Sequence, residues 1–131
     1  MNIPKGLKYT KEHEWAKVEG DVATVGITDY AQHKLGSIVF IELPTPGSSC
    51  RLGQTIVTVD SVKAVAEVYA PLTGQVEAIN EALRDNPEII NQDPYGKGWM
   101  VKIKLSDSKE LQTLLSPEAY EAFIATEEGK G

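Results

Sequence analysis

Apolar and polar residues alternate over short stretches through the first 80 or so positions, the period-two signature of half-buried strands. Glu14-Trp15-Ala16-Lys17-Val18 runs into Glu19-Gly20-Asp21, and Val22-Ala23-Thr24-Val25-Gly26-Ile27 returns. This pattern predicts a hairpin with glycine in its connection. Thr28 or Asp29 can N-cap a short helix through Tyr30 to Leu35, closed by Gly36. Ser37 to Leu43 is a β-branched and apolar run that stops at Pro44-Thr45-Pro46-Gly47, and Gly53 opens the next strand.

The last third changes character. Asn86 to Ile90 suits one helical turn, and Asp93 to Gly98 suits a loop. Trp99 to Leu105 predicts a half-buried strand that sets Met100, Lys102 and Lys104 against Val101, Ile103 and Leu105. Leu111, Leu114 and Leu115 make a helical stripe. Ser116 is a helix N-cap ahead of Pro117, with Tyr120, Phe123 and Ile124 repeating the apolar spacing. The tail from Thr126 to Gly131 is expected to fray. The expected architecture is a mainly β body with helices near 29–35 and 107–127 packed at its edge. A chain of 131 residues is long enough for one domain with a core and too short for two comfortable ones.

Residues 53–71 carry the most information. With Val62-Lys63 as a two-residue turn, one face pairs Ser61–Ala64, Val59–Ala66, Val57–Val68 and Thr55–Ala70. The other pairs Asp60–Val65, Thr58–Glu67 and Ile56–Tyr69. The first face is small and apolar, the second mixed, as one buried and one partly wet face require. The turn itself breaks a local rule. Two-residue hairpin turns favour Asn-Gly or Gly-X because they use positive φ, and a β-branched valine is a poor choice there. Local rules are most often broken where a particular side chain is needed. Lys63 at that apex, flanked by Ser61 and Ala64, presents an amine an acylating enzyme can reach. The plain alternative is a lysine that merely keeps a strand end soluble.

Charge narrows the partners. Thirteen Lys and Arg against nineteen Asp and Glu give a net charge of −6, which argues against nucleic acid and against an anionic membrane surface. An acidic protein is instead steered toward basic faces on other proteins. The single Cys50 cannot form an intramolecular disulfide and reads as a small loop residue without a redox role. Of the two histidines, His13 sits between Glu12 and Glu14, but neighbours on a strand face opposite sides, so it reads as structural and not as a metal or acid–base centre. Trp15 and Trp99 read as core or cleft-wall residues. No catalytic triad, phosphate-cradling glycine loop or metal-ligand spacing is found, and no signal peptide or bilayer-spanning run, so cytoplasm is the expected location.

From Gly36 to Asn80 the chain resembles the biotinyl/lipoyl carrier domains, through Gly36-Ser37-Ile38-Val39, Pro46-Gly47, Leu52-Gly53-Gln54 and Ala70-Pro71-Leu72-Thr73-Gly74. Biotin carriers set methionines beside the lysine. Val62 and Ala64 stand there here, which fits the lipoyl branch. Beyond that core it is similar to the H proteins of the glycine cleavage system, on Tyr9-Thr10-Lys11-Glu12-His13-Glu14-Trp15, on Val25 to Gln32, and on Asn86-Pro87 and Asn91 to Trp99. Asp60 stands where that family usually has Glu, which keeps the charge.

The resemblance implies a flattened two-sheet barrel-sandwich hybrid with lipoic acid in amide linkage on Lys63. It also implies recognition by a lipoylating enzyme through Asp60, Ser61, Val62 and Ala64. It implies a monomeric, non-catalytic shuttle that carries the aminomethyl group of glycine from glycine decarboxylase (the P protein) to aminomethyltransferase (the T protein), with dihydrolipoyl dehydrogenase (the L protein) as reoxidant. Because the loaded arm is open to hydrolysis, the family folds it into a cleft, and Glu14 and Glu67 are the candidate acidic contacts. Their plain alternative is solvated surface charge. Two rival readings remain: a relay passing lipoyl groups on to 2-oxoacid dehydrogenases, and a binding module that has lost modification.

Overall fold

The computed structural model describes residues 2–129, with side chains to residue 127. Among the described residues nine strands form two antiparallel sheets. The larger runs in the order β1 (Lys8–Tyr9), β2 (Glu14–Glu19), β3 (Val22–Ile27), β9 (Val101–Leu105), β8 (Gly74–Ile79), β5 (Ser49–Cys50). The smaller has β6 (Thr55–Ser61) between β4 (Ile38–Glu42) and β7 (Val65–Tyr69). The sheets do not close into a barrel. Helix α1 (Asp29–Leu35) follows β3, α2 (Ala82–Asp85) and α3 (Ile89–Gln92) are single turns, and α4 (Pro117–Gly129) ends the described chain.

The alternation read from sequence is what fills the core. Ala23, Val25, Ile41, Val57, Val59, Val68, Val101 and Ile103 project inward from both sheets and are buried together. A second cluster around Tyr9, Trp15, Tyr30, Tyr120 and Ile124 fixes α4 and α1 against the start of β2. Gly26 is required there. A methyl group at that position would lie 2.8 Å from the Trp15 indole nitrogen, whose N–H donates to the Pro94 carbonyl.

Helix α1 starts as the sequence predicts. Thr28 is the N-cap, its Oγ1 accepting from Ala31 N–H at 3.2 Å, and Gly36 at φ 75° ends the helix with its N–H on the Gln32 carbonyl. Asn91 of α3 then locks this corner, donating to the Gly36 carbonyl and accepting from Ile38 N–H.

Several expectations change. Met100 is fully buried, not on the wet face, because it precedes the regular strand and bonds Val25 through its N–H. The leucine stripe is not one helix. A 3-10 turn covers Ser108–Thr113, and Leu115 is extended, exchanging backbone hydrogen bonds with Tyr9 at 2.9 and 2.7 Å. Helix α4 is capped by Ser116 as expected but continues through Thr126 to Gly129, where the sequence predicts fraying. Lys130 and Gly131, also in that expected tail, lie outside the described residues. Cys50 lies in β5 and is buried, and burial pushes its thiol pKa up.

Candidate functional site

Strands β6 and β7 form the expected hairpin, and Lys63 is exposed at its apex. The pairs Asp60–Val65, Val59–Ala66, Thr58–Glu67 and Val57–Val68 occur as read from sequence. At the base the register slips. Thr55 opposes Tyr69, in place of the expected Ile56–Tyr69 and Thr55–Ala70, because a bulge at Ile56 takes up one residue.

The turn does not use positive φ. Among the described residues the only non-glycine residue with positive φ is His13. Ser61 supplies what a glycine turn would have supplied. Its Oγ accepts from Lys63 N–H at 3.1 Å and from Ala64 N–H at 3.0 Å, and its hydroxyl lies 3.1 Å from the Ala64 carbonyl. Ser61 N–H closes the ladder on the Ala64 carbonyl, and Val62 N–H donates to the Ser37 carbonyl. The apex is thereby held from both strands and from the head of β4. The lysine stem lies over the end of α1, where a methyl group on Gly36 would be 3.4 Å from Lys63 Cε.

Beside the hairpin is a cleft of about 330 Å³. Its apolar walls are Val59, Ala66 and Val68 of the hairpin and Ile27, Tyr30, Ala31 and Leu35. Its polar groups are Glu12, Glu14, Glu67, Glu127, His13 and Lys34. Four carboxylates against one lysine favour a cationic guest. Val59 and Ala66 are four and three positions from Lys63, about 13 and 10 Å along a strand at ~3.3 Å per residue.

The two candidate acids differ. Glu14 is 2% exposed, so it is no solvated surface charge. Its carboxylate accepts from Thr10 Oγ1 at 2.6 Å and from Tyr69 N–H at 3.1 Å. Burial still dominates, and pushes its pKa up to about 7. Glu67 is exposed at the rim, where the Tyr69 hydroxyl donates to it at 3.2 Å.

His13 corrects the strand argument. It precedes β2 at φ 68°, so alternation does not apply, and Glu12, His13 and Glu14 all reach the cleft. Its Nδ1 is 2.9 Å from the Tyr120 hydroxyl and its Nε2 3.0 Å from Glu127 on α4, a link sequence spacing could not reveal. Burial outweighs the glutamate and lowers its pKa. Trp15 is core and Trp99 half-buried, and neither lines the cleft.

Residues 7–127 match the family described as Glycine cleavage H-protein. The chain belongs to that family. The glycine cleavage system H protein of Bacteroides thetaiotaomicron is 51% identical over 124 residues, spanning 95% of this chain and 98% of its own. That of Halothermothrix orenii is 52% identical over 124 residues, with 95% and 97% coverage. A crystal structure of the glycine cleavage system H protein from Mycobacterium marinum aligns with a TM-score of 0.83 at 34% identity, over 92% of this chain and 97% of that one. Membership in the H-protein family supports a carrier role in glycine cleavage. No helix among the described residues is long and apolar enough to cross a membrane.

Proposed function

We propose that the protein carries lipoic acid as an amide on Lys63 and shuttles the aminomethyl group of glycine between enzymes without catalysing a step itself. The observation that carries this reading is an exposed lysine at a hydrogen-bonded hairpin apex, beside an acidic cleft whose walls begin on that same hairpin. When bound through the Lys63 amide, the lipoyl group would supply a tethered disulfide able to accept the aminomethyl cargo reductively.

The chain's own residues do the rest. Ser61 fixes the apex so that the amine is presented in one place, and Asp60, Ser61, Val62 and Ala64 form the local surface read by the lipoylating enzyme. The cleft lies within reach of a lysine stem extended by an acyl chain. Its apolar walls exclude water, and Glu14, with Glu67 at the rim, attracts a cationic amine. Glu14 is held in place by Thr10 and by the Tyr69 backbone, so its carboxyl group needs no reorganisation when cargo arrives.

The partners are then the P protein as donor, the T protein as acceptor, the L protein as reoxidant and the lipoylating enzyme, in the cytoplasm, with the carrier a monomer. Tethering raises the effective concentration of cargo at each partner in turn. Glycine-dependent exchange of labelled CO₂ with a matching glycine decarboxylase tests this. The lipoylated chain supports exchange and Lys63→Arg does not; equal exchange by both ends the proposal.

A further inference from the structure

With Lys63 as the modified residue, a second protein must reach its amine to acylate it, and a surface assigned to that protein rests on this reading of Lys63. Five large apolar side chains are exposed among the described residues: Val39, Phe40, Leu52, Val62 and Val65. Leu52 lies toward the base of the hairpin. The other four surround its apex.

Their placement depends on a specific distortion. A regular strand sends consecutive side chains to opposite faces. Strand β4 is irregular between Ile38 and Phe40, and Val39 and Phe40 are both exposed, at 55% and 56%. Bulges re-aim side chains in this way. Phe40 opposes Asp60, and Asp60 opposes Val65, so these three form one row across the outer face of the small sheet. Val62, 67% exposed, bonds the Ser37 carbonyl at the head of β4 through its N–H, and a methyl group on Gly36 would lie 3.8 Å from its Cγ2 and 3.4 Å from Lys63 Cε. The apolar patch is therefore continuous with the acceptor lysine.

We propose that Val39, Phe40, Val62 and Val65 are the docking surface for the enzyme that acylates Lys63, and that this enzyme offers an apolar depression edged by Lys or Arg. The cationic edge is called for by Asp60 within the row and exposed Glu42 two residues along β4, on a chain of net charge −6. Clustered exposed apolar residues with a charged margin are the composition of an interface.

Reach selects the occupant. Enzymes that use the loaded arm work at its far end, an acyl chain away from the hairpin. The acylating enzyme works at Nζ itself. There the free amine attacks the carbonyl of a lipoyl adenylate, the C–N bond forms as the bond to AMP breaks, and the amine proton passes to solvent. Its catalytic centre must come within one side-chain length of the apex, so it must cover these residues. The surface also explains the β-branched Val62 in the turn. A recognition face that includes β4 makes the folded sheet, and not the hairpin segment alone, the substrate.

The test uses the full unlipoylated chain, a lipoate–protein ligase, lipoate and ATP, with intact mass as the readout. Phe40→Ser combined with Val65→Thr is compared with wild type and with Leu52→Ser, all checked for unchanged melting. The double variant is expected to lose about tenfold or more in kcat/KM, the effect of one interface hot spot, with matching loss in direct titration against the ligase. Leu52→Ser is expected to behave as wild type, and wild-type kcat/KM to fall as salt rises. An unchanged rate in the double variant overturns the inference and leaves the carrier reading intact. A defect confined to glycine decarboxylase exchange by the pre-lipoylated variant also overturns it, assigning the surface to another partner. Wild type that takes no lipoyl group on Lys63 overturns both.

Discussion

Glu14 and Tyr69 are joined by a 3.1 Å hydrogen bond from the Tyr69 backbone N–H to Glu14 Oε2, which ties a buried carboxylate on β2 to the hairpin that carries Lys63. The bond crosses from the large sheet to the small one. Tyr69 also bonds Glu67 through its hydroxyl, so one residue touches two of the four cleft carboxylates.

The buried charge makes stability depend on pH. Folding raises the Glu14 pKa from 4.5 to about 7, so the folded state holds this proton where the unfolded chain has lost it. The contribution favours folding below pH 4.5 and is lost as pH rises toward 7. Glu14→Gln keeps an oxygen for Tyr69 N–H and an NH₂ for Thr10, and has no proton to lose. Its stability relative to wild type is expected to rise between pH 4.5 and 8, by at most about 3 kcal/mol, in denaturant melts across that range. Parallel curves would contradict the assignment.

The same carboxylate should protect cargo. Glu14→Ala with Glu67→Ala is expected to speed loss of the aminomethyl group to water about fivefold, measured as ammonia or formaldehyde released from the loaded carrier. Most of the effect belongs to Glu14, since an exposed carboxylate such as Glu67 contributes only ~0–1 kcal/mol. Protection should strengthen in wild type as pH passes 7, when Glu14 ionises. An unchanged release rate in the double variant removes the sheltering role.

Ser61 is expected to matter more for precision than for stability. Ser61→Ala frees two amides at an exposed turn, where water replaces the lost acceptor, so the cost is about 0.5–1 kcal/mol. Lipoylation, which needs the amine in one place, should slow by more than that energy implies. A Ser61→Ala chain that melts as predicted but is acylated at the wild-type rate would show the turn needs no such clamp.

Much of this is legible in the residues. The Val57-x-Val59 and Val68 pattern sets the hairpin register near the apex because a one-residue slip would expose the buried face. The bulge at Ile56 is not legible, since nothing local distinguishes it from its neighbours. Lys63 stands out through a turn that breaks glycine rules, but the compensation by the Ser61 hydroxyl emerges only in three dimensions. The burial of Glu14 is hidden for a related reason. Its wall is built by Thr10, Tyr69 and the His13 bend, which sequence spacing does not bring together. Leu115 departs from its helical spacing because pairing with Tyr9, over a hundred residues away, overrides it.

The carrier role stands or falls on one particular amine bearing the cofactor. Peptide mapping of the full chain after incubation with a lipoate–protein ligase, lipoate and ATP tests it directly. A single lipoyl increment is predicted on the peptide containing Lys63, and none in Lys63→Arg. An increment on any other lysine, or one that persists in Lys63→Arg, would contradict it.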